Sequence, residues 1–129
     1  MSPKEKIESY LVKLSLTFQV TSPNSWVVRD ATKGLENLLV ILAEPLVILR
    51  INVMEVPAAG REKLFEELLR LNATDLAHGA YAVEGNTVII VDTLEAHTMD
   101  LEEFEASLDA IGLALAQHYR TLSKYRDKN

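Results

Sequence analysis

The sequence of 129 residues contains no cysteine. This absence excludes disulfide bonds, thiolate metal sites and thiol nucleophiles. Only five glycines and four prolines are present, and no cluster of them marks a linker between domains. The length and the hydrophobic content of 48% predict one domain over residues 1–129 with a single core.

Positive charge is also scarce. The chain has 13 lysines and arginines against 19 acidic residues, which gives a formal net charge of -6. Nucleic-acid affinity depends on clustered lysines and arginines that neutralise phosphates. We therefore expect no nucleic-acid partner.

Long hydrophobic runs are missing as well. The longest apolar stretch, Leu38 to Leu49, is interrupted by Glu44 and Pro45. It is shorter than the roughly 20 residues that a membrane helix needs. The N-terminus leads into an amphipathic stretch and not into an apolar signal region. We expect a cytoplasmic protein with no membrane partner.

Three segments have the spacing and caps of helices. Two of them begin with capping boxes, in which a serine or aspartate precedes a glutamate by three residues. The signatures are Ser2 with Glu5, and Asp100 with Glu103. Regularly spaced leucines predict a middle helix that ends near Asn72, and the same spacing extends the last helix to Tyr125.

The strands are short runs rich in β-branched residues. Turn residues separate them at Ser22-Pro23-Asn24-Ser25, at Ala43-Glu44-Pro45 and at Glu84-Gly85-Asn86. The pattern predicts an α+β fold in which an antiparallel sheet of about five to six strands carries three helices. The expected order is α-β-β-β(-β)-α-β-β-α.

The strand that begins at Leu46 has two apolar faces. One face carries Val47, Leu49, Ile51 and Val53, and the other carries Leu46, Ile48, Arg50, Asn52 and Met54. The first face is predicted to lie in the core. The apolar members of the second face need cover, which either the chain's own helices on both faces or a partner provides.

A partner on the second face makes Leu46, Ile48 and Met54 candidate partner-binding residues. Trp26 is a further candidate because tryptophan often anchors interfaces, although a single strand tryptophan is as often part of the core. Twofold association is the commonest kind of oligomer, so the partner that we expect first is a second copy of the chain.

Catalytic and metal-binding patterns are weak. The three histidines, His78, His97 and His118, lack the spacing of a helical zinc site. Asp92 and Glu95 lie near His97 in the sequence, but this spacing matches no established metal pattern. We expect no catalytic residues, no metal and no cofactor.

Three local segments resemble the type III secretion chaperone-like (CesT/Tir chaperone-like) family, and especially its YbjN-like branch. They are Leu68–Asn72 at the end of the middle helix, Tyr81–Gly85 at the start of the hairpin and Met99–Glu103 at the start of the last helix. The resemblance implies an acidic, noncatalytic protein, often a homodimer, that binds another polypeptide through apolar grooves and added strand pairing.

The leading hypothesis is therefore a noncatalytic protein-binding module, chaperone-like or a regulatory adaptor, that acts as a homodimer and binds a protein or peptide client. Two alternatives remain open. One is a small-molecule-sensing regulatory domain with a pocket between the sheet and the long helix. The other is a metal-dependent or acid-base enzyme that uses His78 or His97.

Overall fold

The computed structural model describes residues 1–126. The domain expected over residues 1–129 thus includes three residues, 127–129, that lie outside the described part. The helices are α1 (Pro3–Lys13), α2 (Arg61–Thr74) and α3 (Leu101–Ser123). The strands are β1 (Thr17–Ser22), β2 (Ser25–Asp30), β3 (Leu35–Ala43), β4 (Leu46–Glu55), β5 (Ala80–Glu84) and β6 (Thr87–Glu95), with a 3₁₀ turn at Ala31–Lys33.

The six strands form one antiparallel sheet in the order β1-β2-β3-β4-β6-β5. The predicted α+β class and order of elements are confirmed, with four strands before α2. Each of the three predicted turns joins a hairpin, and the turn between β3 and β4 contains a cis Glu44–Pro45 peptide bond.

Both predicted capping boxes form. The Ser2 hydroxyl accepts from the Glu5 N–H, while the Glu5 carboxylate accepts from the Ser2 N–H. Asp100 and Glu103 repeat this exchange at the start of α3. Two donors are satisfied at each helix start, which fixes the position at which each helix begins.

The core lies on one face of the sheet, called the helix face below. Side chains from all three helices, including Ile7, Leu64 and Phe104, belong to a single buried cluster together with alternate strand residues. The helix face of β4 supplies Val47 and Leu49, as the sequence predicted. Fully burying an aliphatic side chain of this size contributes about 1.5–3 kcal/mol, so this cluster is the main source of stability.

One glycine lets α3 approach the 3₁₀ turn closely. A Cβ on Gly112 would lie 2.1 Å from the carbonyl oxygen of Lys33. The Lys33 side chain reaches across the same contact and pairs with Asp109 at 2.7 Å. Gly112 therefore sets the distance between the middle of α3 and the start of β3.

The register shifts at three places in the sheet ladder, one of which lies in the edge strand β1 between Val20 and Ser22. Asn37 in β3 has φ 57° and lies where the β2–β3 register shifts, between Val28 and Asp30 on β2. In β4 the register against β6 shifts between Asn52 and Met54. An extra residue at a bulge reverses the faces on which the following side chains lie.

Among residues 1–126, no helix is long and apolar enough to cross a membrane.

Candidate functional site

The sheet face opposite the helices, called the open face below, carries an apolar patch. Val27 is opposite Leu39, Ile41 is opposite Ile48, and Leu46 lies at the start of β4. All five side chains are half-buried, and none of them belongs to the core cluster. We call these five residues the apolar patch. Within residues 1–126, all three helices contribute to the helix face, so the alternative of helices on both faces does not describe this part of the chain.

An ion pair borders the apolar patch. The Arg50 guanidinium binds both carboxylate oxygens of Glu84, at 2.8 and 2.6 Å. The pair reaches from β4 to β5 across the strand between them, β6. Near the crossing lies Ile89 of β6, which is buried but does not belong to the core cluster. The hydrogen bonds with Arg50 lower the pKa of Glu84, and the same bonds raise the pKa of Arg50. Both groups stay charged at neutral pH and neutralise each other.

Two of the four predicted partner-binding residues lie in the apolar patch. Leu46 is opposite Ala43 on β3 and Glu95 on β6, and Ile48 is opposite Ile41 and Thr93. Neither is covered by a helix in the part of the chain that the structure describes. The structure therefore places Leu46 and Ile48 together on the open face, as the strand alternation predicted.

The placement expected for Met54 is wrong. The bulge between Asn52 and Met54 turns Met54 to the helix face, where it is opposite Val88 and only 6% exposed. Val53 is the extra residue of this bulge, so the alternation expected from Val47 onward ends there. A bulge leaves no clear signal in an unbroken apolar run, so sequence alternation alone did not predict it.

Trp26 also lies in the core. Its side chain is fully buried opposite Val40, and its Nε1 donates to Glu8 Oε2 at 3.1 Å. Of the two interpretations that the sequence left open, the structure places Trp26 with the core, and its side chain does not reach the surface of the chain.

The two edges of the sheet differ in accessibility. Along β1 the side chains are mostly exposed, with Val20 at 52%. At the β5 edge the Asn72 amide accepts from the Tyr81 N–H at 2.7 Å and donates to the Tyr81 carbonyl at 3.1 Å. Asn72 thus occupies the main-chain groups that a further strand would pair with. The sequence predicted Asn72 only as a helix-end residue, and nothing in its pattern reveals this role.

A buried polar chain links α3, β5 and the end of α2. The Tyr81 hydroxyl is 2.7 Å from His118 Nδ1, and His118 Nε2 lies 3.4 Å from Asp75 Oδ2. The second contact has an ion-pair distance but lacks hydrogen-bond geometry, so Nε2 has no hydrogen-bond partner. Burial raises the pKa of Tyr81, so its hydroxyl stays protonated and shares a hydrogen bond with His118 Nδ1. These contacts thus link three elements of the fold.

The other predicted polar candidates do not converge. His97 Nε2 lies 3.5 Å from Glu44 Oε2, while Asp92 Oδ2 accepts from the Ser107 hydroxyl at 2.7 Å. His78 is exposed in the connection between α2 and β5. Across residues 1–126, no group of three histidine, aspartate or glutamate side chains is arranged to hold a metal ion.

The fold is known from solved structures. A chain in the heterodimeric ExoU-SpcU complex from the type III secretion system of Pseudomonas aeruginosa matches with a TM-score of 0.70 at 16% identity, covering 86% of this chain and 93% of that one. YbjN, a putative transcription regulator from E. coli, matches with a TM-score of 0.70 at 12% identity, covering 91% of each chain. A chain of the HopA1-SchA chaperone-effector complex matches with a TM-score of 0.67 at 7% identity, covering 88% and 90%.

These likenesses define the type III secretion chaperone fold. The family model that matches is CesT_Tir_1, and it covers residues 1–128. The chain belongs to the CesT_Tir_1 family. No curated protein matches it in sequence. The family that the sequence resembled is therefore confirmed.

Proposed function

We propose that this protein is a noncatalytic, cytoplasmic protein-binding module, chaperone-like or a regulatory adaptor, that acts as a homodimer. The observation that carries the proposal is the apolar patch on the open face. Its five side chains stay half-buried with no helix of residues 1–126 over them. Exposed patches of this kind are typical of protein interaction sites.

A second copy of the chain is the occupant proposed for the apolar patch. The patch contains no charged side chain, and the pair that borders it, Arg50 with Glu84, is neutral as a unit. Two chains of net charge -6 repel each other, and a patch without charged side chains keeps this repulsion small at the contact, although the exposed Glu95 lies opposite Leu46 at its margin. A twofold interface requires one surface to match itself, which this arrangement favours.

The client is proposed to bind elsewhere, along β1. A peptide in extended conformation adds to a free strand edge through main-chain hydrogen bonds, which provide affinity, and the contacts of its side chains provide specificity. The β1 edge offers these groups, whereas Asn72 occupies them at Tyr81 on the other edge. The two functions thus use different surfaces, and the client does not displace the second copy.

The comparisons support a polypeptide as the client. The neighbours include the HopA1-SchA chaperone-effector complex and the heterodimeric ExoU-SpcU complex. Membership of the CesT_Tir_1 family supports a protein that works by binding and not by catalysis.

Sedimentation equilibrium tests the homodimer. We expect a mass of twice the 14.4 kDa of one chain, and we expect Ile48→Glu to reduce it to one chain because a carboxylate would be buried without a partner. Leu69→Glu is the matched control, because Leu69 on α2 is apolar and 69% exposed but lies outside the apolar patch. Circular dichroism verifies that both variants fold.

A wild-type chain that stays monomeric at every concentration would contradict the homodimer. A dimer that survives Ile48→Glu and dissociates with Leu69→Glu would move the interface from the open face to α2. Leu46→Glu provides a second variant in the apolar patch if Ile48→Glu does not fold.

The small-molecule alternative is supported by a separate observation. A cleft of about 620 Å³ lies between the sheet and the C-terminal half of α3. It opens on the helix face, away from the apolar patch, so that a ligand there is compatible with the homodimer.

A further inference from the structure

The cleft is large enough for a small molecule. Its volume of about 620 Å³ falls in the range of roughly 300–1,000 Å³ that is usual for ligand pockets. Protein interiors otherwise pack closely, with few voids larger than a water molecule. The cleft lies at the edge of this closely packed core, between the sheet and α3.

Two of the three register shifts in the sheet, those in β3 and β4, lie at this cleft. Asn37, with its positive φ, lines the cleft from β3, and Val53, the extra residue of the second bulge, lines it from β4. The Asn37 side chain accepts from Arg29 Nε at 3.0 Å, which holds the first bulge in place. Bulges bend strands and redirect side chains, and they recur next to binding sites. The cleft is thus built by the backbone of two neighbouring strands.

The lining carries two opposite charges that do not pair with each other. Glu36 has no ion-pair partner within residues 1–126. Arg126 likewise has no carboxylate partner in that range. Its guanidinium donates to the Val53 carbonyl at 3.1 Å and lies 5.8 Å from the centre of the Tyr119 ring. One of its five N–H groups is used in that bond, which leaves others free for a ligand.

Apolar side chains complete the walls. Leu115 and Leu122 of α3 face Ile51 of β4 across the cleft, and Tyr119 is 62% exposed beside them. A ligand that places an apolar group against these walls removes it from water, which contributes about 25 cal/mol for each Å² buried.

We propose that this cleft binds a small zwitterion with an apolar side chain, namely a hydrophobic α-amino acid. Its carboxylate binds Arg126, its ammonium group binds Glu36, and its side chain packs on Leu115 and Leu122. A purely cationic ligand would leave Arg126 unmatched and close to a like charge, and a purely anionic ligand would do the same at Glu36. A ligand with both charges is the class that matches both groups.

NMR titration of the full chain with three related probes tests this assignment. L-phenylalanine carries both charged groups, phenethylamine lacks the carboxylate, and 3-phenylpropionate lacks the ammonium group. We expect saturable shifts of the Leu115 and Leu122 amide signals with phenylalanine. Each of the other probes should bind about tenfold more weakly, which corresponds to one lost charge-assisted hydrogen bond.

Variants locate the two charges. Glu36→Gln should weaken phenylalanine binding about tenfold without weakening 3-phenylpropionate, which no longer meets a like charge. Arg126→Gln should weaken phenylalanine binding to a similar extent without weakening phenethylamine. Glu62→Gln, an exposed carboxylate on α2 outside the cleft, is the control and should change nothing. The absence of saturable shifts with phenylalanine would overturn the proposal, as would a single-charge probe that binds as tightly. Neither result bears on the homodimer, which uses the open face.

Discussion

The side-chain amide of Asn72 hydrogen-bonds both main-chain polar groups of Tyr81, accepting at 2.7 Å and donating at 3.1 Å. An amide side chain has the same donor and acceptor as a peptide group, so Asn72 takes the place of a neighbouring strand residue. The sheet therefore has one edge, at β5, whose main-chain groups are occupied at Tyr81, and another edge, at β1, where no side chain of residues 1–126 takes this role. This asymmetry separates the proposed client site from the rest of the sheet.

Replacement of Asn72 by leucine tests the β5 edge. Asn72→Leu removes both hydrogen bonds and leaves the Tyr81 groups without a protein partner, so we expect unfolding free energy to fall by about 1–3 kcal/mol. Urea unfolding measures this change. Gln117→Leu, an exposed position on α3, is the control and should shift stability by less than about 0.5 kcal/mol. Equal effects at both positions would contradict the role of Asn72.

A pair of valines tests the β1 edge. Val20 on β1 and Val83 on β5 are 52% and 43% exposed, and each belongs to an edge strand. Lysine on an exposed edge discourages strand pairing. We expect Val20→Lys to reduce the recovery of clients that copurify with the wild type from native cells, and Val83→Lys to leave recovery unchanged.

Quantitative mass spectrometry of the captured proteins measures the recovery. A set of proteins recovered equally with wild type and both variants would contradict client binding at β1. Loss with Val83→Lys alone would place the client at the other edge of the sheet.

Local signals in the sequence predicted local structure well. Ser2 with Glu5 and Asp100 with Glu103 fixed two helix starts, because a capping box depends on residues three positions apart. The hairpin at Gly85 followed from residues that accept positive φ. The fold class and the family could be predicted from such segments taken in order.

Features that depend on strand register could not be predicted. Met54 lies in the core and not on the open face because the extra residue Val53 reverses the alternation of side chains. An apolar run fits the register with or without this extra residue, so the sequence does not distinguish the two. The Arg50–Glu84 pair joins residues whose proximity is decided by the order of strands in the sheet, and the Asn72–Tyr81 bonds depend on how the end of α2 packs against β5. Leu46 and Ile48 were placed correctly because they precede the bulge.

The close approach of α3 to the 3₁₀ turn gives a prediction at Gly112. A methyl group at this position would lie 2.1 Å from the Lys33 carbonyl oxygen, so the backbone would have to move. We expect Gly112→Ala to lower the unfolding free energy by about 2 kcal/mol even though alanine favours helices.

Gly60→Ala is the control for this prediction. Gly60 has φ +76°, but a Cβ there meets no atom within 4 Å. Gly60→Ala should lower the unfolding free energy only by the strain of a left-handed backbone, about 1 kcal/mol. A Gly112→Ala variant as stable as the wild type in urea would show that the contact relaxes without cost.

The carboxylate of Asp75 gives the chain a predictable response to acid. The Thr74 hydroxyl donates to Asp75 at 2.6 Å, and this bond, followed by the contact with His118, lowers the pKa of Asp75 below its ordinary value of 3.8. A carboxyl group whose pKa is lower in the folded chain stabilises the fold above its unfolded pKa, and this contribution is lost as the pH falls through the folded pKa.

Asp75→Asn should therefore be less stable than the wild type near neutral pH, and the difference should shrink once the pH falls below 3.8. Urea midpoints measured from about pH 7 to about pH 3 detect this convergence. A difference that stays constant over that range would show that the ionised carboxylate of Asp75 does not stabilise the end of α2.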